Sequence, residues 1–281
     1  MRMTRRLLLL GLVLLLLGCE RVLVPLDEQE ASLGQGDVDT EPVLLRMAVC
    51  WPGLPLAETL TAAYTAQDAR VSTDIVACDT SVAHDLLAAE QVHVAFVSET
   101  EACQKGGDPA SMPLALDAVV MIVSRQSALH EIKGEALSAL FGGYHLDWQA
   151  LSGGQGQLEL VVREAGSTAR ELFDAYVMKG QTVSSAATIM PHDRAVLEYV
   201  AERANAVGYI SRAYTDDSVR VLAIDGVSPT QEAILKGKYP LVYCLRVKVS
   251  GAAPREARRF LSFVRSHRGE RLIAERYVIP D

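Results

Sequence analysis

The sequence has little of what marks a metalloprotein, a hydrolase or a nucleic-acid-binding protein. Its 281 residues include 5 cysteines and 6 histidines, scattered without the Cys-x-x-Cys or His spacing of a metal site. Ser167 is not part of a Gly-x-Ser-x-Gly elbow, and we find no nucleophile paired with a base. The formal net charge of −8 would repel nucleic-acid phosphates. We therefore expect no metal, no cofactor, no nucleic acid and no enzymatic activity.

The N-terminal apolar run is too short to span a membrane comfortably. Three arginines precede Leu7–Leu17, and a span needs about 20 apolar residues, so a secretory signal fits better. The following "LLGC" resembles a bacterial lipobox, which implies that Cys19 is lipidated and that residues 1–18 are removed. An uncleaved signal anchor is the alternative. Removal of three arginines and no acid would change the formal charge from −8 to −11.

The segment after the signal is acidic, rich in Gly and Pro, and short of aromatic residues. We predict that residues 19–42 are a flexible tether with a mean reach of about 25–30 Å. Outside the cytoplasm, the four remaining cysteines favour disulfides. Cys50 and Cys78 each end an apolar run, and neighbouring parallel strands would bring them within bonding reach. We therefore favour a Cys50–Cys78 disulfide; Cys103 and Cys244 would then remain, either paired with each other or unpaired.

From Leu44 onward, apolar runs of strand length alternate with segments of helical spacing. This alternation predicts an α/β fold with mainly parallel sheets flanked by helices. "LALDAVVMIVS" is long enough to leave one lobe and enter another. We predict a two-lobed body with a ligand cleft between the lobes: lobe 1 at 43–121 and 238–281, and lobe 2, inserted, at 122–237.

One predicted strand turns directly into a helix at "REAGSTARELF", residues 163–173. The first turn of a helix presents free backbone N–H groups and partial positive charge, so an anion can bind there beside Arg163 and nearby hydroxyls. The alternative is an ordinary N-cap, in which Ser167 or Thr168 satisfies those N–H groups itself.

Several ordered segments resemble the phosphate ABC-transporter substrate-binding proteins, a family with the type II periplasmic-binding-protein fold. They are "ALDAVVMIVSRQSALHEIKGEALSALFGGYHLDWQAL", which includes Trp148, "REAGSTARELF", "IDGVSPTQEAILKGKYPL" and "FLSFVRSHRGERLIAERYVIP". The resemblance covers about Leu44 to Asp281. It implies an extracytoplasmic monomer, anchored to the membrane by its lipid, that delivers phosphate or a similar oxyanion to an ABC permease.

The resemblance also implies which side chains contact the anion. In the second lobe the matching positions are Arg163, Gly166, Ser167 and Thr168, although Thr168 replaces a glycine and Ala169 a threonine. In the first lobe they are Thr80, Ser81, Ser98 and Glu99; Glu99 stands where the family has an aspartate that accepts a proton from phosphate.

The first-lobe turn departs from the family pattern. "CWPGLP" has no hydroxyl where the family has "GSxT", and Trp51 either fills that space or packs in the core. The same fold could therefore bind another oxyanion or a small organic ligand, or serve as a ligand-free signalling or structural lipoprotein. If the protein binds an anion, we expect the lobes to close about strands near Val123 and Leu222.

Overall fold

The computed structural model of the protein describes residues 41–100, 103, 111–144 and 157–280. Cys19, Trp148, the predicted signal peptide and all but the last two residues of the predicted tether lie outside this part of the chain. Within it, no helix has both the length and the apolar character required to cross a membrane. The described residues from Pro42 onward belong to one compact unit.

Most of the strands are short and rich in Val, Ile, Leu and Ala, and those in the interior of the sheet are buried on both faces. The described strands are β1 (Val43–Cys50), β2 (Val71–Cys78), β3 (Val94–Glu99), β4 (Ser111–Ser124), β5 (Glu131–Ile132), β6 (Glu159–Arg163), β7 (Thr188–Met190), β8 (Ala206–Ser211), β9 (Val219–Val221), β10 (Ala223–Ile224) and β11 (Val242–Val249).

Nine of these strands form one mixed sheet, in the order β2-β1-β3-β11-β4-β8-β6-β7, with β9 also on β4. Strands β2, β1 and β3 are parallel, and so are β8, β6 and β7. The long strand β4 joins the two groups, because it pairs antiparallel with β11 on one side and with β8 and β9 on the other. We call β2, β1, β3 and β11 the first half of the sheet, and β8, β6, β7 and β9 the second half.

Helices follow most strands and cover the sheet. They are α1 (Leu54–Thr65), α2 (Thr80–Ala88), α3 (Gly134–Phe141), α4 (Thr168–Phe173), α5 (Asp193–Glu202), α6 (Gln231–Leu235), α7 (Arg255–Val264) and α8 (His267–Ala274). A 3₁₀ turn, Trp51–Gly53, connects β1 directly to α1, and a second one, Arg212–Tyr214, follows β8.

The alternation of strands and helices confirms the predicted α/β class. One hydrophobic core runs through both halves of the sheet and includes Phe96, Phe260, Phe173 and Tyr209. The rings of Phe173 and Tyr209 stack with centroids 4.2 Å apart. The predicted lobe boundaries remain a prediction.

The predicted disulfide is wrong. Cys50 and Cys78 lie directly opposite each other at the ends of parallel strands β1 and β2, as expected, but both thiols are free. The structure instead links Cys103 to Cys244, whose Cα atoms are 5.1 Å apart, within the normal range for a disulfide. The apolar runs predicted neighbouring strands but could not reveal that Cys103 lies beside β11.

The predicted hinge residues lie beside each other in the sheet. The N–H of Leu222 donates to the carbonyl of Met121 at 2.9 Å, and Val123 pairs with Arg220 in β9. This part of β4 therefore belongs to the second half of the sheet, just beyond the strand's contacts with β11.

Candidate functional site

A narrow cavity, with no room for a water molecule in this conformation, lies where three connections between strands and helices meet. The turn after β1 and the start of α2 supply one wall, from the first half of the sheet. The junction of β6 and α4 supplies the other wall. The lining residues are Cys50, Trp51, Pro52, Asp79, Thr80, Arg163, Ser167, Thr168 and Ala169.

Arg163 is a lining residue, yet its side chain is almost wholly buried. It forms an ion pair through Nη1 with the buried carboxylate of Asp193, at the start of α5. Its Nε and Nη2 donate to the two carboxylate oxygens of Glu164 at 2.9 and 2.8 Å. Burial would lower the pKa of Arg163, but the charges of Asp193 and Glu164 outweigh that effect and raise it. The guanidinium is thus held in one place and permanently charged.

Three hydroxyl groups meet across the boundary between the two halves of the sheet. The oxygens of Thr80 and Ser98 are 2.8 Å apart, and those of Ser98 and Thr168 are 2.5 Å apart. The Ser98 N–H also donates to the Thr80 hydroxyl at 3.1 Å. Each hydroxyl can both donate and accept, so an anion placed here can receive hydrogen bonds from both halves.

The junction of β6 and α4 uses its glycine and serine for local geometry. Gly166 has φ +94°, a conformation that side chains other than glycine rarely adopt. Ser167 is the N-cap of α4, and its hydroxyl accepts from the N–H of Arg170 at 3.3 Å. The ordinary-cap interpretation is therefore correct for Ser167, while Thr168 extends its hydroxyl to Ser98.

The turn "CWPGLP", which contains no hydroxyl group, is held in place by hydrogen bonds to its backbone carbonyl groups. Tyr214 donates to the carbonyl of Trp51 at 2.7 Å, and Tyr277 donates to that of Pro52 at 2.8 Å. The indole ring of Trp51 lies 5.1 Å from the imidazole of His192, which precedes α5. Trp51 thus lines the cavity and also contacts the second half of the sheet, so it is not a core residue of the first half alone.

A free thiol lies beside the hydroxyl groups. Cys50 is 1% exposed and lines the cavity. Burial raises the pKa of its thiol to about 12, against smaller lowering effects from the Gly53 N–H and the Ser98 hydroxyl. The thiol is therefore protonated at neutral pH.

Four of the predicted contact residues do not line the cavity: Gly166, Ser81, Ser98 and Glu99. Ser98 nevertheless reaches two lining residues, Thr80 and Thr168, through its hydroxyl. Ser81 is exposed on α2. Glu99 forms ion pairs with Lys248 at 2.8 Å and with Arg246 at 3.4 Å. Successive strand residues point to opposite faces, so the step from Ser98 to Glu99 turns this side chain toward the basic residues of β11.

Three acidic residues of the site were not identified from the sequence. Glu164 and Asp193 hold the guanidinium of Arg163, and Asp193 also accepts the Ser211 N–H at 2.7 Å. Asp79 was overlooked beside Thr80. The sequence contains an indication for Asp193, since a buried arginine needs an acidic partner and Asp193 begins a later helix. The spacing between Arg163 and Asp193, however, does not specify this pair.

A chain of buried polar groups extends from Asp193 to Asp117, which lies on the long strand β4. The Ser211 hydroxyl donates to the Asp117 carboxylate at 2.5 Å, and the Tyr243 hydroxyl donates to the same oxygen at 2.5 Å. Ser211 belongs to the second half of the sheet and Tyr243 to the first. Burial raises the pKa of Asp117 to about 6, partly offset by these two hydroxyls. Asp117 therefore connects both halves beneath the cavity.

Two solved structures share the fold over most of this chain. A substrate-binding protein from Clostridium perfringens, determined with bound phosphate, matches 85% of this chain and 100% of its own, with TM-score 0.76 and 22% identity. An ABC-type phosphate transport receptor from Vibrio cholerae matches 84% of this chain and 100% of its own, with TM-score 0.66 and 21% identity. These likenesses confirm the predicted periplasmic-binding-protein fold.

Curated relatives match a smaller part of the chain. The phosphate-binding protein PstS of Bacillus subtilis is 28% identical over 154 residues, which are 54% of this chain and 51% of that protein. Phosphate-binding protein PstS 2 of Streptococcus pneumoniae TIGR4 is 30% identical over 128 residues, 43% of this chain and 44% of that protein. The chain thus spans about half the length of the curated relatives it matches.

A family model covers nearly all of the folded part. It describes a PBP superfamily domain and matches residues 38–268. This match includes both halves of the sheet and all the residues that line the cavity. The chain therefore belongs to the PBP superfamily.

Proposed function

We propose that this protein is an extracytoplasmic substrate-binding protein that captures an oxyanion, most simply phosphate, for import by an ABC transporter. The observation that carries the proposal is the convergence of hydroxyls from both halves of the sheet beside a buried arginine. The names of the similar proteins favour phosphate as the oxyanion.

The anion would bind between the hydroxyls and the start of α4. Thr80, Ser98 and Thr168 would donate to it in place of their present mutual hydrogen bonds. Thr168 and Ala169 are the first two residues of α4, so their backbone N–H groups have no acceptor within the helix and can donate to the same anion.

Arg163 would supply the positive charge without having to move. Its two carboxylate partners hold the guanidinium plane, and the three groups together carry a net negative charge. Binding would therefore depend on directed hydrogen bonds more than on overall attraction, which favours discrimination among anions. The two walls already touch through Ser98 and Thr168, so a ligand would enter when the walls separate about β4, near Val123 and Leu222, and the walls would then close on it.

The placement of the protein in the cell is also a proposal. Lipidation of Cys19 would hold the folded part near the membrane on the tether 19–42, close to the permease that receives the ligand. The boundaries 43–121 with 238–281, and 122–237, would then be the two lobes that close as a monomer.

Hydroxyl deletions on opposite walls test the function. We expect Ser98→Ala and Thr168→Val each to weaken phosphate binding about tenfold or more, because a hydrogen bond to a charged group contributes about 1.5–3 kcal/mol. Ser262→Ala is the matched control, since this exposed hydroxyl donates only to the carbonyl of Arg258. Equal phosphate affinity in all three variants, measured by equilibrium dialysis, would contradict the proposal.

A further inference from the structure

One residue of the first half of the sheet makes two separate contacts with the second half. Trp51, in the turn after β1, is half-buried. Its backbone carbonyl accepts a hydrogen bond from the Tyr214 hydroxyl at 2.7 Å. The centroid of its ring lies 5.1 Å from that of the His192 ring, with 37° between the ring planes. Tyr214 follows β8 and His192 precedes α5, so Trp51 connects its turn to two different segments of the second half.

His192 is held in place beside the anion site. It is the N-cap of α5, and its Nδ1 accepts the N–H of Ala195 at 3.1 Å. The next residue, Asp193, forms the buried ion pair with Arg163. The position of the imidazole is therefore tied to the wall that contains Arg163.

Trp51 is held equally firmly within its own turn. The next residue is Pro52, whose ring restricts the backbone. The carbonyl of Pro52 accepts from the buried Tyr277 hydroxyl at 2.8 Å. Because both rings are already positioned, little conformational freedom is lost when they meet.

The contacts of Trp51 do not compete with a ligand. A bound anion would take the hydroxyls of Thr80, Ser98 and Thr168, which now connect the two walls to each other. The contacts of Trp51 with His192 and Tyr214 use none of these hydroxyls. They can therefore persist while the anion is bound, and they must break when the walls separate.

Resting on the proposed function, we propose that Trp51 is a positioning residue that holds the cavity closed over the bound anion through His192 and Tyr214. The turn "CWPGLP" offers no hydroxyl to an anion, and Trp51 contributes contacts with protein instead. Because these contacts stabilise the closed form, they slow the separation of the walls and set the rate at which the anion leaves. An aromatic pair or a neutral hydrogen bond typically changes an equilibrium constant about two- to tenfold.

The test measures the release of phosphate from the full-length protein, loaded with radioactive phosphate and chased with an excess of unlabelled phosphate. Trp51→Leu removes one ring, and His192→Asn removes the other while keeping an N-cap acceptor for α5. We expect each variant to release phosphate about three- to tenfold faster than the wild type. Trp51→Phe keeps a ring opposite His192 and should restore most of the slow release.

Tyr214→Phe tests the second contact, because it removes only the hydroxyl that donates to Trp51. This variant should release phosphate about two- to tenfold faster than the wild type. Tyr199→Phe is the matched control, since the Tyr199 hydroxyl donates to Glu159 at 2.7 Å and neither residue lines the cavity. It should release phosphate at the wild-type rate.

A double variant distinguishes a direct contact from two unrelated effects. Both single changes remove the same pair of rings, so Trp51→Leu combined with His192→Asn should release phosphate at most about twofold faster than the faster single variant. A role in folding alone would lower the melting temperature without this coupling in the release rates.

The outcomes separate this inference from the proposed function. If the wild type binds phosphate and the Trp51 and His192 variants release it at the wild-type rate, or if their effects multiply, the assignment of Trp51 is overturned while phosphate binding stands. If the wild type binds no phosphate, the proposed function fails and the inference fails with it. Should Trp51→Leu not fold, as judged by its melting temperature, His192→Asn and Tyr214→Phe decide the question with Trp51 in place.

Discussion

The side-chain oxygens of Ser98 and Thr168 lie 2.5 Å apart, although 70 positions separate the two residues in the chain. Ser98 is the last residue but one of strand β3 in the first half of the sheet, and Thr168 is the first residue of α4 in the second half. Their contact brings the two walls of the cavity within reach of one small ligand. Beneath that contact, Asp193 holds Arg163 in place, and Asp117 connects the long strand β4 to both halves of the sheet.

Removal of Asp193 should destabilise the protein strongly. Asp193→Ala leaves the buried Arg163 with a single carboxylate partner and frees the Ser211 N–H. Breaking a buried ion pair from one side costs about 3–5 kcal/mol, so we expect a loss of that size in the free energy of unfolding, measured with urea. Glu232→Ala is the control, because its pair with Lys236 is exposed and should contribute less than about 1 kcal/mol. Equal losses would contradict the structural role of Asp193.

Asp117 should make stability depend on pH. Its pKa is raised to about 6 in the folded protein, so the folded state binds more protons than the unfolded state between about pH 4 and pH 6. The free energy of unfolding should therefore fall as pH rises through that window, by about 3 kcal/mol for this group.

Asp117→Asn should remove this part of the pH dependence, because the amide does not titrate. The difference in unfolding free energy between wild type and variant, measured in steps from pH 4 to pH 7, isolates the contribution of Asp117. A difference that stays constant over the range would show that burial does not raise this pKa.

Loss of the Cys103–Cys244 disulfide should destabilise the folded protein. The bond closes a loop with a sequence separation of 141, and closing loops of this size restricts the unfolded chain. We expect the Cys103→Ser/Cys244→Ser variant to lose about 2–5 kcal/mol in denaturant unfolding. Cys78→Ser, which removes a free thiol, should be affected far less. If both variants unfold at the same denaturant concentration, the disulfide is not formed in solution.

The two free thiols should react at different rates. Cys50 is buried with a pKa of about 12, whereas Cys78 is only half-buried, so the thiolate of Cys78 forms and meets a reagent more readily. We expect iodoacetamide at pH 8 to label Cys78 before Cys50, as followed by peptide mass spectrometry. In denaturant the two rates should become equal. Faster labelling of Cys50 in the folded protein would contradict its position beneath the cavity.

Much of the fold follows from periodicity in the sequence. The apolar residues of "DRAVLEYVAER" have helical spacing, and this segment forms α5 from Asp193 to Glu202; the apolar run "VGYIS" lies in strand β8. These elements depend on local patterns of apolar residues, which a sequence displays directly. "VRVLAIDG" shows the limit of this approach, because it forms two short strands, β9 and β10, that pair with different partners.

The site was less predictable because it depends on distances between remote segments. The resemblance identified Arg163, Thr80, Ser98 and Thr168, but not the carboxylates that hold Arg163 or the Asp79 side chain that lines the cavity. Glu99 matches a family position, yet its partners are on β11, nearly 150 residues later in the chain. The predicted cysteine pairing was wrong for the same reason. The sequence indicated which strands are neighbours, but it did not indicate the connection that brings Cys103 to Cys244.

Calorimetric titration of the protein with phosphate, followed by sulfate, tests the central claim most directly. The account predicts saturable one-to-one binding of phosphate, because hydroxyls from both walls would donate hydrogen bonds to the anion beside the positive charge of Arg163. Absence of binding by phosphate, arsenate, sulfate and molybdate alike would contradict the account and show that this cavity does not hold a tetrahedral oxyanion.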